Sequence, residues 1–444
     1  MIKSEVSYRR IWSLAWPIIL TNITIPLIGA TNVAVMGRLP SPIYIGAVSL
    51  GVLVLQCIYW SFAFLRKGTT GITAQAYGAK NTPEVCLALV RSLMIAFVLS
   101  VLVLILQVPI CNLAFKILQA SPEVERQAEI FFYIRIWATF PTLANYAMLG
   151  WFYGIQKPKK ALWLRTLMNL VNIPLAIYLV LVLDTKTEGA AWSALISQIF
   201  VFVLSAVVAY TEIKKLNTNA HGIHNFDFIQ EVFNKEKLVR IFKVNRDIFI
   251  RTVLVYLAFS WFTASSARTS DLVLAANTIL INLFWFISYA LDGFSNATEA
   301  LVGEAVGAQN QKLFDEAISK SVKFSLVFAL LLSLSFYFGK ELILAAMTTH
   351  REIQKIALDY FLWLVFIPIT GIWCFQADGI FVGMTKTSYM RNNMIISFAV
   401  YAIAIVFLPK FFANNGLWMA LHIFMIMRGL TLWRDFGKAK NIIK

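Results

Sequence analysis

Twelve times along this chain, an apolar run long enough to cross a bilayer is followed by a polar break. A hydrocarbon core about 30 Å thick takes ~20 residues of helix, and only helices and closed barrels satisfy the backbone there. The runs therefore predict membrane helices at about 11–37, 45–66, 87–110, 130–155, 162–183 and 189–211. Six more follow at about 248–267, 272–305, 324–339, 356–384, 389–408 and 416–433. With 59% hydrophobic and 14% charged residues, too little polar surface exists to coat a soluble globule. The first run is too long for a signal peptide and lacks a small-residue cleavage site, so it reads as a retained helix.

The chain is also doubled. At an offset of 229 residues, Thr69, Ala76, Gly78, Ala79 and Asn81 fall on Thr298, Ala305, Gly307, Ala308 and Asn310. The same offset sets Gly150, Phe152, Gly154 and Lys157 on Gly379, Phe381, Gly383 and Lys386. Six helices return a chain to its starting side, so two successive halves share one orientation and form a parallel repeat. The expected fold is an all-α polytopic membrane protein: twelve transmembrane helices in two pseudo-symmetric six-helix lobes. Residues 1–212 form the first lobe, 213–246 a basic cytoplasmic linker, and 247–444 the second lobe.

A net charge of +16 invites nucleic acid as a partner, but in a polytopic protein basic residues instead gather in cytoplasmic loops. With both termini inside, the cytoplasmic loops and helix ends hold 27 Lys and Arg against 9 outside, which fixes the expected orientation and removes nucleic acid. Cys57, Cys86, Cys111 and Cys374 lie far apart without CxxC spacing, and read as free, packed thiols. His221, His224, His350 and His422 are equally scattered, so no metal site is expected. No P-loop is present, since GIFVGMTKT has the wrong spacing, and HExxH and GxSxG are missing too. The chain reads as no enzyme, and its energy has to come from an ion gradient or a partner.

Charge inside the apolar runs carries the functional signal, because an ionisable group at the bilayer centre costs ~2.5–3.5 kcal/mol on insertion scales. Arg251, Asp292, Glu299 and Asp378 head the candidates, followed by Arg66, Arg135 and Glu304. The repeat partner of Asp292 is Ala63, so the lobes differ there in charge. A carboxyl in a low-dielectric cleft gains proton affinity and can load and release a proton as water access alternates. Glu299, two helical turns on, lies on nearly the same face and makes a relay with Asp292 conceivable. The alternative is a structural ion pair of Asp292 with Arg251. Asp378 either takes part in coupling or caps a packed helix break, where Gly379 and Gly383 in small-xxx-small spacing permit close approach. Glu304 reads as solvated or as fixing the Gly307 loop. Asn22, Asn32, Asn169 and Asn172 form an amide set suited either to a polar substrate group or to holding helices together. Among the aromatics, Trp285 and Tyr289, with Trp60, Trp261, Phe284, Phe286 and Trp373, suit a cavity for flat apolar cations, or simply packing. Pro17, Pro26, Pro141, Pro174 and Pro368 sit within helical runs, as gating kinks or fixed bends.

Five segments in order resemble the DinF-like branch of the MATE multidrug and toxic compound extrusion family. They are PIILTNITIPLIGATNVAVMGRL, FLRKGTTGITAQAYGAKN, NRDIFIR, ALDGFSNATEALVGEAVGAQN and DGIFVGMTKTSYMRNN. The resemblance implies two lobes around a central cleft and efflux of amphipathic, often cationic, organic compounds by alternating access. Protons or sodium ions would drive it, with no other cofactor, in a monomer in the bacterial inner membrane. Relatives usually carry aspartates where this chain has Asn32 and Ala176, so a first-lobe proton site is not carried over and the burden shifts to the second lobe. Flipping of lipid-linked precursors is the other reading on this fold, but it asks for a more cationic cleft than Arg66, Arg135 and Arg251 supply.

Overall fold

The computed structural model describes residues 5–24, 27–218 and 228–440, with every regular element among them helical. Pro26, His221 and His224 lie outside these residues. The first half of the chain holds α1 (Tyr8–Ile23), α2 (Leu27–Met36), α3 (Ile43–Ser61), α4 (Phe64–Gly78), α5 (Thr82–Ile105) and α6 (Gln107–Leu118). It continues with α7 (Pro122–Arg135), α8 (Thr139–Gly154), α9 (Pro158–Ile177) and α10 (Lys186–Thr218). A short α11 (Phe228–Val232) leads to α12 (Lys235–Ala267), α13 (Asp271–Gly307), α14 (Gln311–Met347), α15 (Arg351–Gly383) and α16 (Thr387–Ala439).

Nine helical stretches among the described residues are long and apolar enough to cross a membrane unaided. The fourth expected crossing is shared by α7 and α8 across a 3-10 turn at Ile136–Ala138. Pro141 has no N–H to offer the carbonyl four residues back, which accounts for the tighter turn. The last two are run together in α16, which bends where Ala413 adopts φ 46°. That bend is fixed by side chains: Asn277 and Asn414 exchange hydrogen bonds of 2.6 and 3.2 Å, and the Trp418 indole donates to Asn277 at 3.0 Å. The twelve-helix, two-lobe layout expected from the runs is thus the observed one. Its helices outlast the apolar runs that announced them: the run at 324–339 is the middle of the 37-residue α14, and α12 begins at Lys235 rather than 248. The polar first turns, with Lys235, Glu236 and Lys237 in α12 and Lys312 in α14, extend the backbone ladder beyond the apolar run. Pro17, Pro174 and Pro368 lie inside helices, and five π-helical residues, Tyr178–Val182, follow the helix that holds Pro174. All four cysteines are free, but Cys57 is exposed, not packed.

The repeated residues turn out to build repeated turns. Asn81 and Asn310 cap α5 and α14, their side chains accepting from the N–H groups of Glu84 at 3.0 Å and Leu313 at 2.9 Å. The preceding Lys80 and Gln309 both take left-handed backbone, with φ 56° and 51°. Gln156 and Thr385 do the same before α9 and α16, with φ 58° and 55°. The following N–H of Lys157 bonds Phe152 at 2.7 Å, and that of Lys386 bonds Phe381 at 2.9 Å, closing equivalent helix ends.

Glycines repeat the pattern between helices. Gly150 lies against the carbonyl of Arg66, and Gly379 against that of Ser295, the residue 229 positions on. Gly154 faces Thr70 and Thr73, while Gly383 faces Glu299 and Val302, again 229 apart. Thus α8 seats on α4 as α15 seats on α13, by backbone contact no Cβ would permit.

By packing, the chain forms two units. One comprises Met1–Ile19, Gly78–Lys80 and Phe242–Lys444; the other comprises Leu20–Tyr77 and Asn81–Ile241. In the second unit α11 is pinned by Arg91, which donates to the carbonyls of Glu231 at 2.6 Å and Val232 at 3.3 Å and pairs with Glu84 at 2.7 Å. Each unit has its own apolar core, one around Phe262, Phe284, Tyr401 and Trp418, the other around Tyr59, Phe131 and Phe132.

The glycine contacts give a direct stability prediction. Gly379→Ala puts a methyl group onto the Ser295 carbonyl, an overpacking cost of about 1–3 kcal/mol. Gly339→Ala meets only the tip of Ile343 at 3.4 Å. The first variant should melt well below the parent protein in detergent and the second with it; equal melting of both would contradict the tight seat of α15 on α13.

Candidate functional site

The seat of α15 on α13 is polar as well as close. Ser295 donates to the Phe375 carbonyl at 2.6 Å, and Thr298 to the Gln376 amide oxygen at 2.8 Å. These bonds and Gly379 fix the turn of α15 that carries Asp378, whose side chain is 2% exposed. Two guanidinium groups meet its carboxylate. Arg251 of α12 bonds one oxygen, and Arg428 of α16 bonds the same oxygen at 3.0 Å. Arg428 also lies 5.5 Å over the Phe424 ring and donates to the Met425 sulfur at 3.2 Å. A carboxylate this deep is tolerable because both neighbours carry the opposite charge and donate directly to it.

Asp292 stands at the edge of this group. It is half-buried, accepts a hydrogen bond from Asn296 one turn on at 3.2 Å, and lies within Coulombic reach of Arg251 and Tyr289. The suggested ion pair of Asp292 with Arg251 is therefore corrected: Arg251 bonds Asp378 instead, and Asp292 acts on it through space. The formal charges of Arg251, Arg428, Asp378 and Asp292 sum to zero. Glu299 is almost wholly buried, with Asn296, also buried, lying between it and Asp292 on α13. Glu304 is not solvated, contrary to one reading of the sequence. It is 1% exposed and pairs with Arg10 of α1 at 2.5 Å, which ties α1 to the end of α13.

In the other unit Asn22, Asn32, Asn169 and Asn172 are all buried. Asn169 donates to the Thr24 carbonyl at 3.5 Å, a helix-holding bond. Asn32 lines a cavity of about 110 Å³, and the other three lie outside its lining. Trp285 packs on Phe259, with ring centroids 4.8 Å apart, against the apolar core. Phe286 and Trp373 are exposed. Tyr289 sits one turn before Asp292, and is half-buried.

Arg428 was missed by sequence reasoning. It lies within two turns of the end of the last apolar run, and so counted among the cytoplasmic helix-end charges, as Arg91 and Arg165 did. The signal that could have found it is local: Phe424 and Met425 stand four and three residues before it, on the face a buried guanidinium needs.

Comparison with known proteins bears on the whole chain. The family model described as MatE matches residues 17–178 and 248–408, one match in each half. The chain is 36% identical over 432 residues to DNA damage-inducible protein F of Escherichia coli, covering 96% of this chain and 92% of that one. It is 23% identical over 442 residues to the probable multidrug resistance protein NorM of Rhodopseudomonas palustris, covering 95% and 90%. In structure it resembles the Vibrio cholerae MATE transporter VcmN, with a TM-score of 0.84 at 17% identity over 98% of both chains.

Removing one member of the buried charge group tests its balance. Asp378→Asn leaves two buried guanidinium groups without their shared counter-charge, and should cost about 3–5 kcal/mol. Adding Arg428→Met removes one of them and should restore part of that loss. Thermal unfolding in detergent reads both, and a double variant no more stable than the single one would show that Asp378 does not compensate Arg428.

Proposed function

The chain belongs to the MatE family, and on that footing we propose that it is a proton-coupled exporter of amphipathic organic compounds, coupled through Asp292. The observation that carries the reading is the balanced charge group of the second half. Asp378 is bonded to two arginines and serves as their fixed counter-charge. Asp292 accepts a hydrogen bond from Asn296, and its protonation changes the group's net charge from zero to +1. That change alters the pull on Arg251, which joins α12 to α15, and so gives a proton a mechanical consequence for helix packing. Asn296 lies between Asp292 and Glu299 along α13, which fits a relay between the two carboxyls. Tyr289 and the buried amides Asn22, Asn32, Asn169 and Asn172 are the polar candidates for contact with substrate, and Trp285 an apolar one.

Multidrug resistance is named for the NorM relative, and that name supports a toxic-compound cargo for this chain. The excess of Lys and Arg in alternate loops supports a multi-pass protein of the bacterial inner membrane with both termini cytoplasmic. A complete two-lobe chain is the functional unit, acting as a monomer. One proton moved through 100 mV yields ~2.3 kcal/mol. With 1.4 kcal/mol per tenfold, that sustains roughly a 50-fold gradient of a neutral substrate.

In vesicles holding the purified protein, an imposed proton gradient should drive export of an organic dye at fixed sodium, and Asp292→Asn should abolish it without changing the melting temperature. Export by that variant at the parental rate removes Asp292 from coupling. Export that follows a sodium gradient at fixed pH identifies sodium as the ion instead.

A further inference from the structure

The cavity beside Asn32 has a charge that the coupling chemistry does not use. Two arginines line it, Arg135 at the break between α7 and α8 and Arg165 in the second turn of α9. No Asp or Glu does. Arg135 lies about 20 Å along the helix axis from Pro122, deep within its crossing. Its Nη1 and the Nε of Arg165 are buried without a hydrogen-bond partner, and so is the amide oxygen of Asn32. Nη1 of Arg165 makes only a long 3.9 Å contact to the Met168 sulfur. Tyr59, whose hydroxyl donates to the Arg135 carbonyl at 3.3 Å, lines the cavity with Gln56 and Gln198. A guanidinium does not deprotonate, so burial cannot neutralise these groups as it would a lysine. Two fixed positive charges in a shared cavity of low dielectric attract a negative charge from outside the chain.

We propose that this cavity binds the acid group of an amphipathic organic anion, a carboxylate or sulfonate, and so makes organic anions substrates of the exporter. The guanidinium groups supply forked donors suited to such an acid. The amides of Asn32, Gln56 and Gln198 complete its hydrogen bonds, Asn32 by turning its NH₂ inward. Val52, Leu55, Trp60 and Phe131 line the remainder, which favours a hydrocarbon body over an inorganic ion. The size agrees: at about 110 Å³ the cavity falls below the 150 Å³ that holds benzene, so it takes the acid group and adjoining carbons while the rest of the molecule projects out. The inference rests on the export reading for its physiological meaning, but not for its test.

The test is binding of matched probes to the purified full chain in detergent, with no ion gradient, so that failed export and failed binding are separate results. Benzenesulfonate, benzylammonium and inorganic sulfate are compared by calorimetry. The sulfonate should bind at least tenfold more tightly than either of the others. Arg135→Gln and Arg165→Gln should each weaken it at least tenfold, and Arg135→Lys should lose less. Asn32→Asp, which places a carboxylate against the arginines, should reduce sulfonate binding at least tenfold and raise that of benzylammonium, and it stands as the deciding variant if the arginine variants do not fold. Equal binding of benzylammonium and benzenesulfonate by the parent protein overturns the proposal, as does sulfate binding as well as the sulfonate. Sulfonate affinity that survives both arginine substitutions, or Asn32→Asp, overturns it too.

Discussion

Hydrocarbon offers a polar group no water to fall back on, and the helices, their contacts and their buried charges all answer to that. The backbone complies by closing its bonds within each helix. Helices so closed have no hydrophobic drive to associate in lipid, and approach instead through small residues. Gly150 and Gly379 supply that approach, each lying against a carbonyl already bonded inside its own helix. The contact therefore strands no polar group. It also fixes chemistry, since Asp378 precedes Gly379 directly, and the seat of α15 on α13 decides where that carboxylate stands when Arg251 and Arg428 reach it.

What the repeat preserves and what it abandons separate scaffold from function. The residues kept at an offset of 229 are caps, left-handed turns and contact glycines: Asn81 with Asn310, Gly150 with Gly379, Gly154 with Gly383. The charged residues of the two interiors are not kept. Asp292 matches Ala63, Asp378 matches Leu149, Arg251 matches Asn22 and Arg428 matches Ile199. In the reverse direction, Arg135 and Arg165 match Leu364 and Met394. One backbone plan thus carries two unlike electrostatic interiors.

The plan was legible in the sequence because it is written in local signals. Apolar runs placed the crossings, and the echo of Gly78 and Asn81 at Gly307 and Asn310 announced both the doubling and the turns. The charge partners were not legible. Arg251 and Asp378 stand 127 residues apart, and nothing in either neighbourhood says that α12 faces α15. Arg428 and Arg165 were hidden for another reason: a basic residue within two turns of a run's end looks like one reaching for the cytoplasmic surface. Whether it turns inward depends on Asp378 or on a cavity that no local pattern encodes. Likewise the ends of α12 and α14 outran the apolar signal, since a helix continues into water on its charged turns after hydrophobicity has stopped marking it.

The two interiors also differ in whether their charge can change. In the second half, two arginines stand against two carboxylates, and one of those, Asp292, accepts a hydrogen bond from the Asn296 amide. On the proposed reading, its proton is the quantity in that group that varies. In the first half both charges belong to arginines, which stay ionised whatever the surrounding pH. A site whose charge is constant cannot carry a proton cycle, but it can hold a preference for one sign of ligand throughout that cycle. Asn32 matters to that division because a carboxylate there would have given the cavity both a negative charge and a titratable group. An amide keeps the hydrogen bonds and removes both, so that on the proposed reading selection falls to the fixed arginines of one half and coupling to the carboxylate of the other.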